Sequence, residues 1–403
     1  MPVGNNKGGF RYPGYNPLKV ADAPTGVSVE GGDAELTVSF TAPADVGGGA
    51  ISTYQAATTT GVTATGSSPI SLTGLSNGVS YNVRVWALNS FGPSPFGTGS
   101  GTPSLLAGNV IYFFGGLTSA GSQNVIQFKN VASTGNTTDF GDLSSISQGG
   151  AGCSSSTRGV AAIGEGSGGR SNIMEYVTLS TAGNTTDFGD MSPTRELTAS
   201  LSNNTRGIFG GGLQAWGTRS NNISYITIAS TGDSTNFGNL QEQKRGVTGC
   251  GSTTRGLFFG GDIDGNTYSN NIDYITIANT GNASNFGDLS ATRQDAASVS
   301  SNTRAVVCTG SNGSGNNVNI LEYVTIASTG NTTDFGNATQ AKSGVTGDGC
   351  GTLGLLGGGY TSTNVNVIEY ITIANTGNGV DFGDLITAAS AAGSFSSAHG
   401  GLS

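Results

Sequence analysis

Charge is scarce in this chain. Only 10 % of its 403 residues are Asp, Glu, Lys or Arg, and histidine occurs once, at His399. Methionine occurs three times, cysteine four times and proline ten times. Each shortage excludes something. The net charge of −9, with a sequence pI near 4.5, argues against a nucleic-acid partner, which needs a basic surface to neutralise phosphates. A Ser-His-Asp constellation would have to use His399, and no G-x-S-x-G elbow accompanies it. Cys153, Cys250, Cys308 and Cys350 form no CxxC pair and no small-domain framework, so free, buried, reduced thiols are expected. No run approaches the roughly 20 apolar residues that span a bilayer, so no membrane insertion is expected. Met1–Val20 lacks an apolar h-region, and no secretory signal is read there.

Glycine, by contrast, is abundant. There are 69, about 17 % against roughly 7 % in an average protein. No Gly-X-Y period accompanies them, which excludes collagen, and glycine at this level excludes a helical bundle. Apolar residues still make up 35 %, with 12 Tyr and 17 Phe, which is enough for packed cores. An all-β chain is expected.

Residues 1–22 read as an extended arm carrying Phe10, Tyr12 and Tyr15 between Gly, Asn and Pro, a candidate docking peptide that orders on a partner. Residues 23–103 alternate in short strands, with Val27, Val29, Leu36, Val38 and Phe40 facing inward. The stretch "LTGLSNGVSYNVRVWALNSFGPS" spaces Leu75 and Tyr81 as a tyrosine corner. This segment resembles a fibronectin type III domain, with Phe40 where that family usually has a buried Trp. The resemblance implies a β-sandwich used as a spacer or docking module.

Residues 104–403 repeat. A "[DN]-F-G-[DN]" unit places Phe140, Phe188, Phe237, Phe286, Phe335 and Phe382 at intervals of 48, 49, 49, 49 and 47 residues. Each period reads as four short strands: a small polar one, an apolar one ending in glycines, a "Y-[IV]-T-[IL]" strand and the "FG" strand. The Phe is the expected core plug. The end, "TAASAAGSFSSAHGGLS", aligns with a first strand, so it is expected to complete the first unit, which lacks one.

These repeats resemble kelch and galactose-oxidase-like propellers, with Phe in place of the usual Trp of the last strand. The resemblance implies a six-bladed β-propeller closed by the C-terminal strand. Arrays of this kind look most like virion proteins of tailed phages that infect cyanobacteria. That implies a non-enzymatic tail fibre or surface appendage, assembled in the host cytoplasm, with other virion proteins and host surface glycan or protein as partners. The alternatives are a decoration or connector without a receptor, or a bacterial adhesin or kelch-type secreted protein. A copper radical oxidase on this scaffold needs several histidines, and no enzyme activity, cofactor or metal is expected. The turn Asp262–Asp273 is only faintly like a calcium loop, because Gly265 is misplaced and no bidentate Glu follows.

Recurring residues read as structural: the Asp of "FGD" (Asp142, Asp190, Asp288, Asp384) and Arg158, Arg206, Arg255 and Arg304, with which His399 aligns, suit turn bonds or pairs between units. Function is expected where the repeats differ. One set of loops carries Arg170, Trp216, Arg219, Tyr268 and Tyr360, and a second carries Arg195, Lys244, Arg245, Arg293 and Lys342. Aromatic rings that stack on sugars, beside basic groups that meet acidic ones, make this face the candidate binding site.

Overall fold

The computed structural model describes residues 19–32, 34–76, 79–103, 109–265 and 267–402. Phe10, Tyr12 and Tyr15 of the expected docking arm lie outside the described residues. The chain divides into two compact units, Met1–Ala107 and Gly108–Ser403. Both are all-β. The one helical element among the described residues is the 3-10 turn Ala215–Gly217.

In the first unit Thr25–Gly32, Glu35–Thr41 and Ile70–Thr73 form an antiparallel sheet. Thr53–Thr58, Thr63–Gly66, Tyr81–Asn89, Gly92–Pro93 and Gly97–Gly101 form a second. Period-two alternation sends Leu36, Val38, Ile70, Leu72, Val83 and Val85 into one core, with Val27, Val29 and Phe40 packed partly buried against it. The Tyr81 hydroxyl accepts a hydrogen bond from the Ser76 N–H at 3.1 Å, which is the corner expected from the Leu75–Tyr81 spacing.

The second unit contains six principal antiparallel sheets that follow one another along the chain, the first of five strands and the other five of four. The second to sixth begin with leading strands Ala151–Ser154, Ala199–Ser202, Thr248–Gly251, Ala297–Ser300 and Thr346–Cys350. The leading strand of the first sheet comes from the far end of the chain: Gly393–Ser396 pairs with Val110–Phe114, Gly393 facing Phe114 and Ser396 facing Ile111. The expected C-terminal clasp is therefore made. Tyr112 stacks on Phe395 at 5.2 Å, which anchors it.

The third strand of each of the second to sixth sheets slips register against the fourth at one place, as between Met174 and Glu175 or Ile272 and Asp273, and that of the first sheet slips twice, once between Ile126 and Gln127. The slip leaves the Phe of "FG" out of the ladder and turned inward. All six of these phenylalanines are at most 3 % exposed. In the second to sixth sheets each meets a Tyr edge to face, as Phe286 meets Tyr274 at 6.0 Å. The glycine after the Phe is required by close approach: a Cβ at Gly287 would stand 2.2 Å from the Gly330 carbonyl oxygen of the next sheet.

Neighbouring sheets are tied through their backbones. The Phe140, Phe188, Phe237, Phe286 and Phe335 carbonyls accept from the Gly183, Gly232, Gly281, Gly330 and Gly377 N–H groups of the following sheet. The Phe382 carbonyl of the sixth sheet accepts from Gly135 of the first, at 2.6 Å. The "FGD" aspartates take part through their main chain: the Asp142, Asp190, Asp288 and Asp384 N–H groups donate to Asn184, Asp233, Asn331 and Asn136 side chains. Arg158, Arg206, Arg255 and Arg304 donate to the Ile228, Ile277, Ile326 and Ile373 carbonyls of the next sheet. They also lie over tyrosine rings at 4.3 to 4.7 Å.

Candidate functional site

Just before each leading strand stands a residue with left-handed backbone: Gly149, Leu197, Gly246, Asp295, Gly344 and Ala391, with φ between +50° and +61°. Their N–H groups donate in turn to the carbonyl of the preceding member, at 2.8 to 3.1 Å, and Gly149 donates to Ala391. Six bonds thus return on themselves. Leu197, Asp295 and Ala391 accept a conformation that favours glycine, at a local cost the circle of bonds offsets.

These residues line a cavity of about 440 Å³, which continues along the six leading strands. Leu117, Arg245 and Tyr360 stand at its rim, and Cys153, Cys250, Asp348 and His399 along its wall. His399 does not sit where the arginines with which it aligns sit. A turn follows the Gly393–Ser396 strand there, and His399 points inward and is buried. Its Nε2 lies 3.1 Å from the Ser154 carbonyl and 3.1 Å from Ser202 Oγ, while its Nδ1 accepts from the Gly401 N–H. Burial raises the Asp348 pKa above the usual carboxylate value.

Four residues of the expected binding face are internal. Arg195 and Arg293 are 1 % and 2 % exposed, and Lys244 and Lys342 are fully buried. Each cation meets a polar residue of the next sheet's third strand, which shares a face with the buried aliphatic residue two positions on, as Asp273 does with Ile275. Lys244 pairs with Asp273 at 3.0 Å, Arg293 with Glu322 at 2.6 Å and Lys342 with Glu369 at 2.8 Å. Arg195 meets Ser224 in that place, at 2.5 Å, with Asn222 and the Phe209 carbonyl beside it. Arg195 and Arg293 are thus not available to a ligand.

Of the remaining loop residues, Arg245 and Tyr360 line the cavity, and Arg219 reaches it through Asp262, which Arg245 shares. Arg170 pairs with Glu196 at 2.8 Å, and burial raises the Glu196 pKa against the pull of Arg170. Asp262 is fully buried and accepts from both Arg219 and Arg245. Burial opposes its charge, but Arg219, the Gly265 N–H and Arg245 together hold its pKa below the ordinary carboxylate value. The calcium-loop reading of this turn fails on the same contacts, since Asp262 and Asp273 both face cations. Tyr268 is partly buried and bridges Asp262, whereas Tyr360 is 46 % exposed. Trp216 lies in the 3-10 turn Ala215–Gly217.

All four cysteines are free and buried. Burial pushes the Cys250 thiol up to about 12, so it is no nucleophile near neutral pH. Among the described residues, no three His, Cys, Asp or Glu side chains converge as a metal site. Sequence reasoning missed the circle of left-handed residues and the buried cation positions. The signal for both was the period itself, since each recurs every 47 to 49 residues.

Residues 22–100 match the fibronectin type III domain family. A comparison with curated proteins finds no match to the chain.

Proposed function

We propose that the second unit is a six-bladed β-propeller of kelch-like architecture, and that the chain is a non-enzymatic structural protein of a virus particle. In this reading it is a tail fibre or surface appendage whose loop face recognises a host surface glycan or protein. The observation that carries the ring is the set of six backbone hydrogen bonds from Gly149 to Ala391 that returns to its start. The same order recurs at the periphery, where Phe382 bonds Gly135. Recognition is assigned to the loop face because the repeats diverge there, around the cavity mouth, while the bonds between sheets repeat nearly unchanged. Placement in a virion rests on the resemblance of the "Y-[IV]-T-[IL]-A-[SN]-T-G-[ND]" arrays to phage virion proteins. The arm and the fibronectin type III domain then serve as the docking end.

The test has two arms. Immunogold labelling of purified particles is expected to place the protein at a fibre or appendage. Glycan arrays and whole host cells are expected to retain the wild-type protein and to lose a folded Trp216→Ala, Tyr268→Ala double variant. Undiminished binding by the double variant rejects the loop face, and absence from particles rejects the virion assignment.

A further inference from the structure

The cavity has chemistry of its own. Its far end is shut by the last residues of the chain. The Gly351 N–H donates to the Ala398 carbonyl at 2.8 Å, and His399 is fixed between the Ser154 and Ser202 strands. A Cβ at Gly400 would stand 2.5 Å from the Ser301 carbonyl oxygen and 2.7 Å from that of Gly251, so the tail fits against several leading strands at once. A ligand therefore meets a blind pocket with one mouth. At about 440 Å³ it lies within the roughly 300–1,000 Å³ range of small-ligand sites.

The mouth is two-sided. On one side Tyr360 and Leu117 are exposed, at 46 % and 39 %, and their loops are joined by the Asn364 amide, which donates to the Leu117 carbonyl at 2.7 Å. Across the six-fold pattern the matching positions are Glu165, Leu213, Asp262 and Ser311, of which only Leu213 is apolar and it is buried, so an exposed apolar pair breaks the symmetry. On the other side are Asp295 and Arg245. Among the described residues no hydrogen bond reaches the Asp295 carboxylate, which lies over Gly246, 2.5 Å from where a Cβ would stand. Arg245 spends its Nε on Asp262 and keeps its two terminal nitrogens. Deeper in, the wall offers short hydroxyls, Ser200, Thr248, Ser300 and Thr346, and the carboxylate of Asp348.

We infer that this cavity is a receptor pocket for the end of an uncharged sugar chain. The inference rests on the recognition reading above and narrows it to one ligand class and one place. A pyranose has a C–H face that suits the Tyr360 ring and an edge of hydroxyls that donate to Asp295 and accept from Arg245. A carboxylated or sulfated sugar finds no surplus cation, because Arg219 and Arg245 share Asp262, the remaining positive charge faces Asp295, and Asp348 adds a further carboxyl group deeper in the wall.

Saturation-transfer NMR and calorimetric titration of the full chain with glucose, galactose, mannose, N-acetylglucosamine and glucuronic acid test this. The expected result is roughly millimolar binding of at least one neutral sugar, with glucuronic acid at least about tenfold weaker. Tyr360→Ala and Asp295→Asn are expected to weaken the neutral sugar about tenfold each, Asn being tolerant of the positive φ. No neutral-sugar binding, equal binding of glucuronic acid, or unchanged affinity in both pocket variants overturns the inference. If any of these occurs while host-cell binding persists, the pocket falls and the loop-face reading stands. Loss of both kinds of binding by the wild type rejects the two together.

Discussion

Arg195 is the odd member of its set. Lys244, Arg293 and Lys342 each face a carboxylate inside the next sheet, while Arg195 faces Ser224. A buried cation without an anion keeps part of its desolvation cost, and burial holds the Arg195 pKa below its ordinary value. Ser224→Asp supplies the missing charge and is expected to stabilise the fold by about 1–3 kcal/mol in urea denaturation. Ser224→Ala removes a hydrogen bond and is expected to cost about 1–3 kcal/mol. Asp295 carries a second residue-scale consequence. Burial, reinforced by Asp262 and opposed by Arg245, raises its pKa from 3.8 to about 6. Between those values the folded protein holds a proton that the unfolded chain releases, so this group's contribution falls as pH rises through that window. Asp295→Asn is expected to gain on the order of 1–2 kcal/mol over wild type at about pH 7.5 and almost nothing near pH 4. Denaturation midpoints measured at the two pH values check the sign.

At the scale of elements, the third and fourth strands do the repeating work. The register slip places one Phe of the fourth strand in the core of each sheet, while the third strand holds a polar side chain on its other buried face. The Phe was legible in sequence because an aromatic at a fixed period marks a core position. The burial of the polar residue on the third strand was not, because alternation gives its face but not the cation that the preceding connection brings to meet it. The clasp was legible too, since a strand pattern stood at the end and its counterpart was lacking before Val110. Deleting residues 386–403 strips Gly393–Ser396 from Val110–Phe114 and removes Phe395 from between Tyr112 and Phe114. The melting temperature is expected to fall by roughly 10 °C. An unchanged melting temperature means that the C-terminal strand adds nothing.

On the scale of the whole molecule, low charge and high glycine have one physical source. Sheets that lie against one another through backbone contacts need glycine where carbonyls approach, and they leave little surface for long charged side chains. The sequence by itself determined the all-β class, the limits of the fibronectin type III segment, the four-strand unit and its period, since each is a local alternation or a spacing. Only the tertiary structure decided which polar residues a ligand meets. Arg195 and Arg293 read like Arg170 and Arg245 along the chain, yet the first two are buried, while Arg170 pairs with Glu196 and Arg245 lines the cavity. The difference lies in partners 27 to 29 residues away, supplied by the next sheet's third strand. The cavity likewise exists only when six leading strands and the chain's last turn come together, a long-range arrangement that no single repeat encodes.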